Sequence, residues 1–192
     1  MRIVGGTHRG RPIAAPPSRD TRPTIDRVRE SLFNMLAHSP ALLTESGQPR
    51  LADGIVIDAF AGSGALAFEA LSRGARHAYL FEIDPAARRV ILRNASELGF
   101  GSRTTLRGMD ACQPGKPPAD QQADIVFLDP PYRSDLGAKA LTALDREGWL
   151  KPDVLAIVET DAKASFDPPA GFTLLDERRQ GPAKLVFLTK TA

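Results

Sequence analysis

The stretch Gly54-Ile55-Val56-Ile57-Asp58-Ala59-Phe60-Ala61-Gly62-Ser63-Gly64 runs an apolar strand into a glycine turn, and the residues from Gly64 to Arg73 read as a helix. Glycines between a strand and a helix let the main chain turn tightly and let a ligand approach it with no Cβ in the way. Read loosely, Gly62-x-Gly64-x-x-Ala67 matches the dinucleotide fingerprint, and Glu82, eighteen residues past Gly64, stands where a ribose-binding carboxylate belongs. A glycine turn alone is weak evidence. With a strand before it, a helix after it and an acid closing the next strand, it points to a nucleoside-containing ligand.

Asp58 narrows the ligand class. A carboxylate beside a phosphate cradle repels pyrophosphate, whereas a cationic, phosphate-free ligand is attracted to it. S-adenosylmethionine, with its sulfonium and ammonium groups, therefore suits Asp58, Gly62 and Gly64 better than NAD does. Glu82 is then placed to accept from both ribose hydroxyls, with Phe60 and Ile83 in the same cofactor group. Asp110, in Gly108-Met109-Asp110, is a candidate acceptor for the adenine amine or, equally, the cap of a turn.

Outward from this turn the chain alternates short apolar runs with helical segments. Strands are expected at 54–58, 77–82, 104–107, 124–129 and 154–159, and helices at 64–73, 85–98 and 135–147. That alternation argues for an α/β fold with a mostly parallel, Rossmann-like sheet covered on both faces. The segments 172–178 and 184–190 are separated only by a short turn at Gln180-Gly181-Pro182, so they are expected as an antiparallel hairpin at the sheet edge.

The expected fourth strand, Ile125-Val126-Phe127-Leu128, runs into Asp129-Pro130-Pro131-Tyr132. Two prolines fix φ and remove two backbone donors, which leaves an acceptor-rich ledge. The Asp129 side chain and the Pro130 carbonyl can each take one hydrogen of an exocyclic NH₂ on a planar base. Two acceptors favour a tetrahedral nitrogen whose lone pair faces a methyl donor, and Tyr132 offers a ring on which an extruded base stacks. The same ledge serves guanine N2, adenine N6 in DNA or RNA, or a glutamine side chain. Cys112 lies in a Pro-containing loop with no activating motif, and the three histidines are scattered. A covalent thiol route, a metal site and a Ser-His-Asp triad are therefore disfavoured.

Composition sets the remaining bounds. The 192 residues predict one domain. A single cysteine excludes an intramolecular disulfide, no apolar run is long enough to span a membrane and the N-terminus lacks a signal-peptide core, so a cytoplasmic location is expected. The net charge of +2 hides an asymmetry: residues 1–29 carry seven arginines against two aspartates, a net +5, which leaves −3 for the rest. Residues 1–23 read as a basic arm with a short hairpin between Arg2–Val4 and Arg11–Ala14, and the domain proper is expected over 24–192. Arg2, Arg9, Arg11, Arg19 and Arg27 are candidate contacts to RNA phosphates. An amphipathic helix with Thr24 as its N-cap is predicted to run to about Ala37.

Together, Asp58 to Gly64, Glu82, Asp129 to Tyr132 and Arg22-Pro23-Thr24-Ile25-Asp26-Arg27-Val28-Arg29-Glu30-Ser31-Leu32-Phe33-Asn34 resemble the RsmD-type 16S ribosomal RNA guanine-N2 methyltransferases. Arg2-Ile3-Val4-Gly5-Gly6 and Arg9-Gly10-Arg11 look like the same family's arm. The resemblance covers nearly the whole chain, and the stretch from Arg22 to Asn34 discriminates best. It implies a class I, seven-stranded methyltransferase sheet with a reversed last strand, and Arg22 to Thr24 closing over S-adenosylmethionine. It further implies that Asp129, Pro130, Pro131 and Tyr132 hold the target guanine, and that the substrate is ribosomal RNA in a 30S assembly intermediate. One departure stands out: where the family usually has a Tyr-Gly-x-Thr-like stretch, this chain has Arg179-Gln180-Gly181-Pro182-Ala183, leaving Arg178 or Arg179 to contact RNA there. The competing readings are another amino-methyltransferase and a non-catalytic RNA-binding assembly factor with the same fold. An intact Asp58 turn and Asp129 ledge argue against the second, because phosphate binding needs neither.

Overall fold

Every strand at the centre of this chain is apolar on both sides, and such strands need cover on both faces of the sheet. The computed structural model describes residues 1–16, 23–44, 46–131 and 135–191, without the side chains of residues 23–25. Strands β1 (Ile55–Asp58), β2 (His77–Phe81), β3 (Thr104–Arg107), β4 (Ala123–Leu128), β5 (Leu150–Asp161), β6 (Phe172–Gln180) and β7 (Ala183–Lys190) form one sheet in the order β3-β2-β1-β4-β5-β7-β6. β1 to β5 are parallel, and β7 runs antiparallel between β5 and β6. This is the seven-stranded sheet with reversed final strand that the sequence predicts.

Helices α1 (Pro23–His38), α2 (Ala65–Ser72) and α3 (Pro85–Glu97) cover one face, where Phe33, Phe68 and Ile91 pack with Val56, Leu80, Phe127 and Phe187. Helix α4 (Leu136–Arg146) and Trp149 cover the other, against Ile57, Val126, Val158 and Leu188. Alternate residues of one strand, such as Ile125 and Val126, thus enter different cores, as a two-residue side-chain period requires. Trp149 is fully buried and its indole N–H donates to the Gly115 carbonyl at 2.6 Å, so its one polar atom is satisfied.

The N-terminal hairpin forms through Ile3 N–H to Arg11 O at 2.9 Å and Ile13 N–H to Met1 O at 3.0 Å. It is packed onto the body, with Ile3 and Ile13 buried in the core under α1 and α2. Two expectations change. Helix α1 begins at Pro23, so Thr24 is inside its first turn and is not the cap; a proline at the first position has no N–H to leave unsatisfied. β5 begins four residues earlier than expected, because Pro152 lies in the register shift between the Ala123–Leu150 and Ile125–Leu155 pairs, where a ladder donor is not needed.

Candidate functional site

The strand order reverses direction at β1, which has β2 on one side and β4 on the other. In open α/β sheets the crevice outside the carboxyl ends at such a point receives the ligand. Asp58 ends β1 in register with Phe127 of β4, and Ala59 N–H donates to Phe127 O at 3.0 Å. The glycine turn and the Asp129 ledge are therefore neighbours on one rim. The sequence elements read separately come together here.

The turn is held from three sides. Asp58 is buried, and its Oδ2 accepts from Ala67 N–H in the first turn of α2 at 3.3 Å. Gly62 and Gly64 have φ of 57° and 78°, left-handed values that favour glycine, and a Cβ on Gly64 would collide with the Phe68 ring. Glu82, half-buried just past β2, accepts from Gly62 N–H through Oε2 at 2.7 Å and from Asp84 N–H through Oε1 at 2.8 Å. Each of its oxygens keeps a second acceptor lone pair for a ribose hydroxyl. Ile83 beside it is 67% exposed, a large apolar side chain left in solvent at the rim of the turn. Phe60 is half-buried against the second core. Two carboxylates beside a turn with an exposed apolar neighbour fit a cationic, phosphate-free nucleoside.

Asp110 is exposed, and its Oδ1 accepts from Cys112 N–H at 2.8 Å, so one of its two carboxylate oxygens caps this turn. Burial and the neighbouring Asp110 carboxylate push the Cys112 thiol up to about 11, which keeps it protonated and a poor nucleophile. Among the described residues no group of three or more His, Cys, Asp or Glu gathers as for a metal ion, and no helix is long and apolar enough to cross a membrane.

On the ledge, Asp129 and Pro130 are half-buried and Pro131 is exposed. Gly137 of α4 lets the helix sit close: a Cβ there would stand 3.2 Å from Val158 Cγ1 and 3.5 Å from Pro130 Cγ. Tyr132, Arg19 and Arg22 lie outside the described residues, as does the side chain of Thr24. Of the other candidate RNA contacts, Arg2, Arg9, Arg11 and Arg27 are exposed, with Arg11 Nη2 donating to the Glu97 carbonyl at 2.7 Å. Arg27 shares a groove of about 630 Å³ with Asn34, His38 and Arg178.

Two residues outside the sequence-derived site organise it. Asn94 of α3, buried, accepts from Ala14 N–H at 2.9 Å and donates to Ala14 O and to Ser63 O, both at 3.0 Å. One amide thus ties the N-terminal arm to the glycine turn. Arg29, counted with the basic arm on charge alone, is buried and spent internally: it pairs with Asp26 at 2.9 Å and with Glu69 at 3.7 Å, and donates to the Arg2 carbonyl. Glu69, fully buried, also binds Arg73 at 2.7 Å and Val4 N–H at 2.8 Å. A polar residue in a helical pattern signals exposure, so neither role is visible without the partners.

The family model described as Conserved hypothetical protein 95 matches residues 1–189. Ribosomal RNA small subunit methyltransferase D of Escherichia coli strain K12 is 37% identical over 185 residues, covering 94% of this chain and 85% of that protein. The protein of the same name from Haemophilus influenzae strain Rd is 36% identical over 183 residues, covering 94% and 89%. Among solved structures, the putative methyltransferase yhhF from Escherichia coli superposes with a TM-score of 0.79 at 35% identity, covering 100% of this chain and 98% of that one. A putative methylase from Haemophilus influenzae gives 0.77 at 32% identity, covering 100% and 98%.

Proposed function

The chain belongs to the family of the ribosomal RNA small subunit methyltransferases D, and on that premise we propose that it transfers a methyl group from S-adenosylmethionine to the exocyclic N2 amine of a guanine in 16S ribosomal RNA. The observation that carries this reading is the juxtaposition, on one rim of the sheet, of the Asp58 turn with the Asp129-Pro130 ledge. S-adenosylmethionine supplies, when bound, a methyl group activated on sulfonium sulfur. Asp58 and Glu82 hold the cationic, ribose-bearing donor, Phe60 and Ile83 flank its base, and Gly62 and Gly64 bring the backbone close. Arg22, Thr24 and Asp110 complete that group. Asp129 and the Pro130 carbonyl take the two amine hydrogens, Pro131 fixes the ledge and Tyr132 stacks the base.

The ledge keeps the amine nitrogen in line with the methyl carbon, and alignment of this kind is worth roughly 7–11 kcal/mol of the barrier. Arg2, Arg9, Arg11 and Arg27 contact the RNA backbone, and Arg178, beside Arg27, stands in for the aromatic contact missing from the final hairpin. The substrate is a small-subunit assembly intermediate, in which the base is still accessible, and the reaction is cytoplasmic.

The test is Asp129→Ala. Turnover on ribosomal RNA is expected to be lost while calorimetry shows S-adenosylmethionine binding within a few-fold of the parent. Normal turnover in that variant would refute the ledge as the site of the amine.

A further inference from the structure

A second carboxylate stands beside Asp129. Leu128 of β4 pairs in register with Val158 of β5, and the two strands are parallel, so the next residues, Asp129 just past β4 and Glu159 two residues before the end of β5, are neighbours across adjacent strands. Glu159 is partly buried. Burial first, and the nearby Asp129 carboxylate second, push its carboxyl up from the ordinary 4.5 to about 7. The charged groups on the packed neighbours are otherwise engaged among the described residues. Lys184 of β7 pairs with Glu177 at 2.9 Å, Lys190 of β7 with Asp145 of α4 at 2.7 Å, Lys139 of α4 with Asp135 at 2.8 Å, and Lys151 of β5 with Asp124 of β4 at 2.6 Å. The Asp129 carboxylate is the charge that raises Glu159.

Methylation of an amine releases a proton. As the nitrogen–carbon bond forms and the carbon–sulfur bond breaks with its electron pair going to sulfur, the nitrogen becomes cationic and one of its two hydrogens must leave as a proton. We propose that Glu159 is a positioning and proton-holding residue for this step: Asp129 receives the amine proton and shares it with Glu159, which keeps the ledge able to release product. This rests on the amino-methyltransferase reading above. A carboxyl that titrates near the working pH is a matched acceptor. Below about 7 the pair already holds a proton and accepts a second poorly, so the rate should fall as the solution is acidified.

Two readouts test this in the full chain. In the first, side-chain carboxyl resonances are titrated by carbon NMR without any RNA. The Glu159 signal is expected to titrate near neutrality and to move down in Asp129→Asn; titration at the ordinary glutamate value in the parent protein would overturn the proposal. In the second, single-turnover methylation is measured against pH. The parent rate is expected to show an acid limb near neutrality, and Glu159→Gln is expected to lose that limb and run roughly tenfold or more slower at pH 8, within the usual range for acid–base groups. Glu159→Asp should restore part of both, which a purely structural role would not produce. An unchanged profile in Glu159→Gln, with an active parent, overturns the proposal alone. An inactive parent on every amine substrate would instead overturn the reading it rests on.

Discussion

Glu82 accepts one backbone N–H on each carboxylate oxygen, from Gly62 and from Asp84, so it braces the glycine turn before any ribose arrives. Removing it therefore takes away the preset turn together with the proposed ribose contacts. Hydrogen bonds to a charged group contribute about 1.5–3 kcal/mol each, and tenfold in affinity is about 1.4 kcal/mol. Glu82→Ala is expected to weaken S-adenosylmethionine binding roughly 10- to 100-fold by calorimetry; no change would remove its ribose role. Glu82→Gln should fall between, because an amide keeps one acceptor oxygen and loses the charge.

At the scale of elements, Asn94 joins three of them: the N-terminal hairpin through Ala14, the β1–α2 turn through Ser63, and α3 on which it sits. Asn94→Ala leaves the buried Ser63 carbonyl and the half-buried Ala14 N–H and carbonyl without this partner, at about 1–3 kcal/mol for a buried group left unsatisfied. The variant is expected to melt lower and to show faster amide exchange at Ala14 and around Ser63 than elsewhere; uniform exchange would mean that the arm and the turn are held separately. This clamp also marks where sequence reading stops. Strands β1 to β4 and helices α2 to α4 are legible to within a residue or so at their ends, because apolar runs and glycine turns are local signals. Asn94, Arg29 and Glu159 are not, since apart from Asp26 beside Arg29 their partners lie far away in the chain, and the same residue types on a helix or strand ordinarily face solvent. The early start of β5 is not legible locally, because the register shift that tolerates Pro152 is set by the neighbouring strand.

Across the whole molecule, the separation of charge found in the sequence takes a more exact form. Of the seven N-terminal arginines, Arg2, Arg9, Arg11 and Arg27 are exposed, Arg29 is committed to Asp26 and Glu69, and Arg19 and Arg22 lie outside the described residues. If the four exposed ones each neutralise one phosphate of unpaired RNA, log K should fall by about 2.8 per decade of salt, at about 0.7 per contact. Arg29→Ala is expected to leave that slope unchanged and to lower stability, since it takes one of two guanidinium partners from the buried Glu69 and leaves Asp26 and the Arg2 carbonyl without theirs. A flat salt dependence in the parent protein would mean that the exposed arginines do not touch RNA. The central claim, methyl transfer to guanine N2 at the Asp129 ledge, is tested most directly by incubating the protein with labelled S-adenosylmethionine and ribosomal RNA, naked or in partly assembled small subunits, and identifying the labelled nucleoside by mass spectrometry. The account predicts N2-methylguanosine from small-subunit RNA, with more product from the assembled particle. Label in N6-methyladenosine or in a C5-methylated pyrimidine, or no label in any RNA, would contradict it.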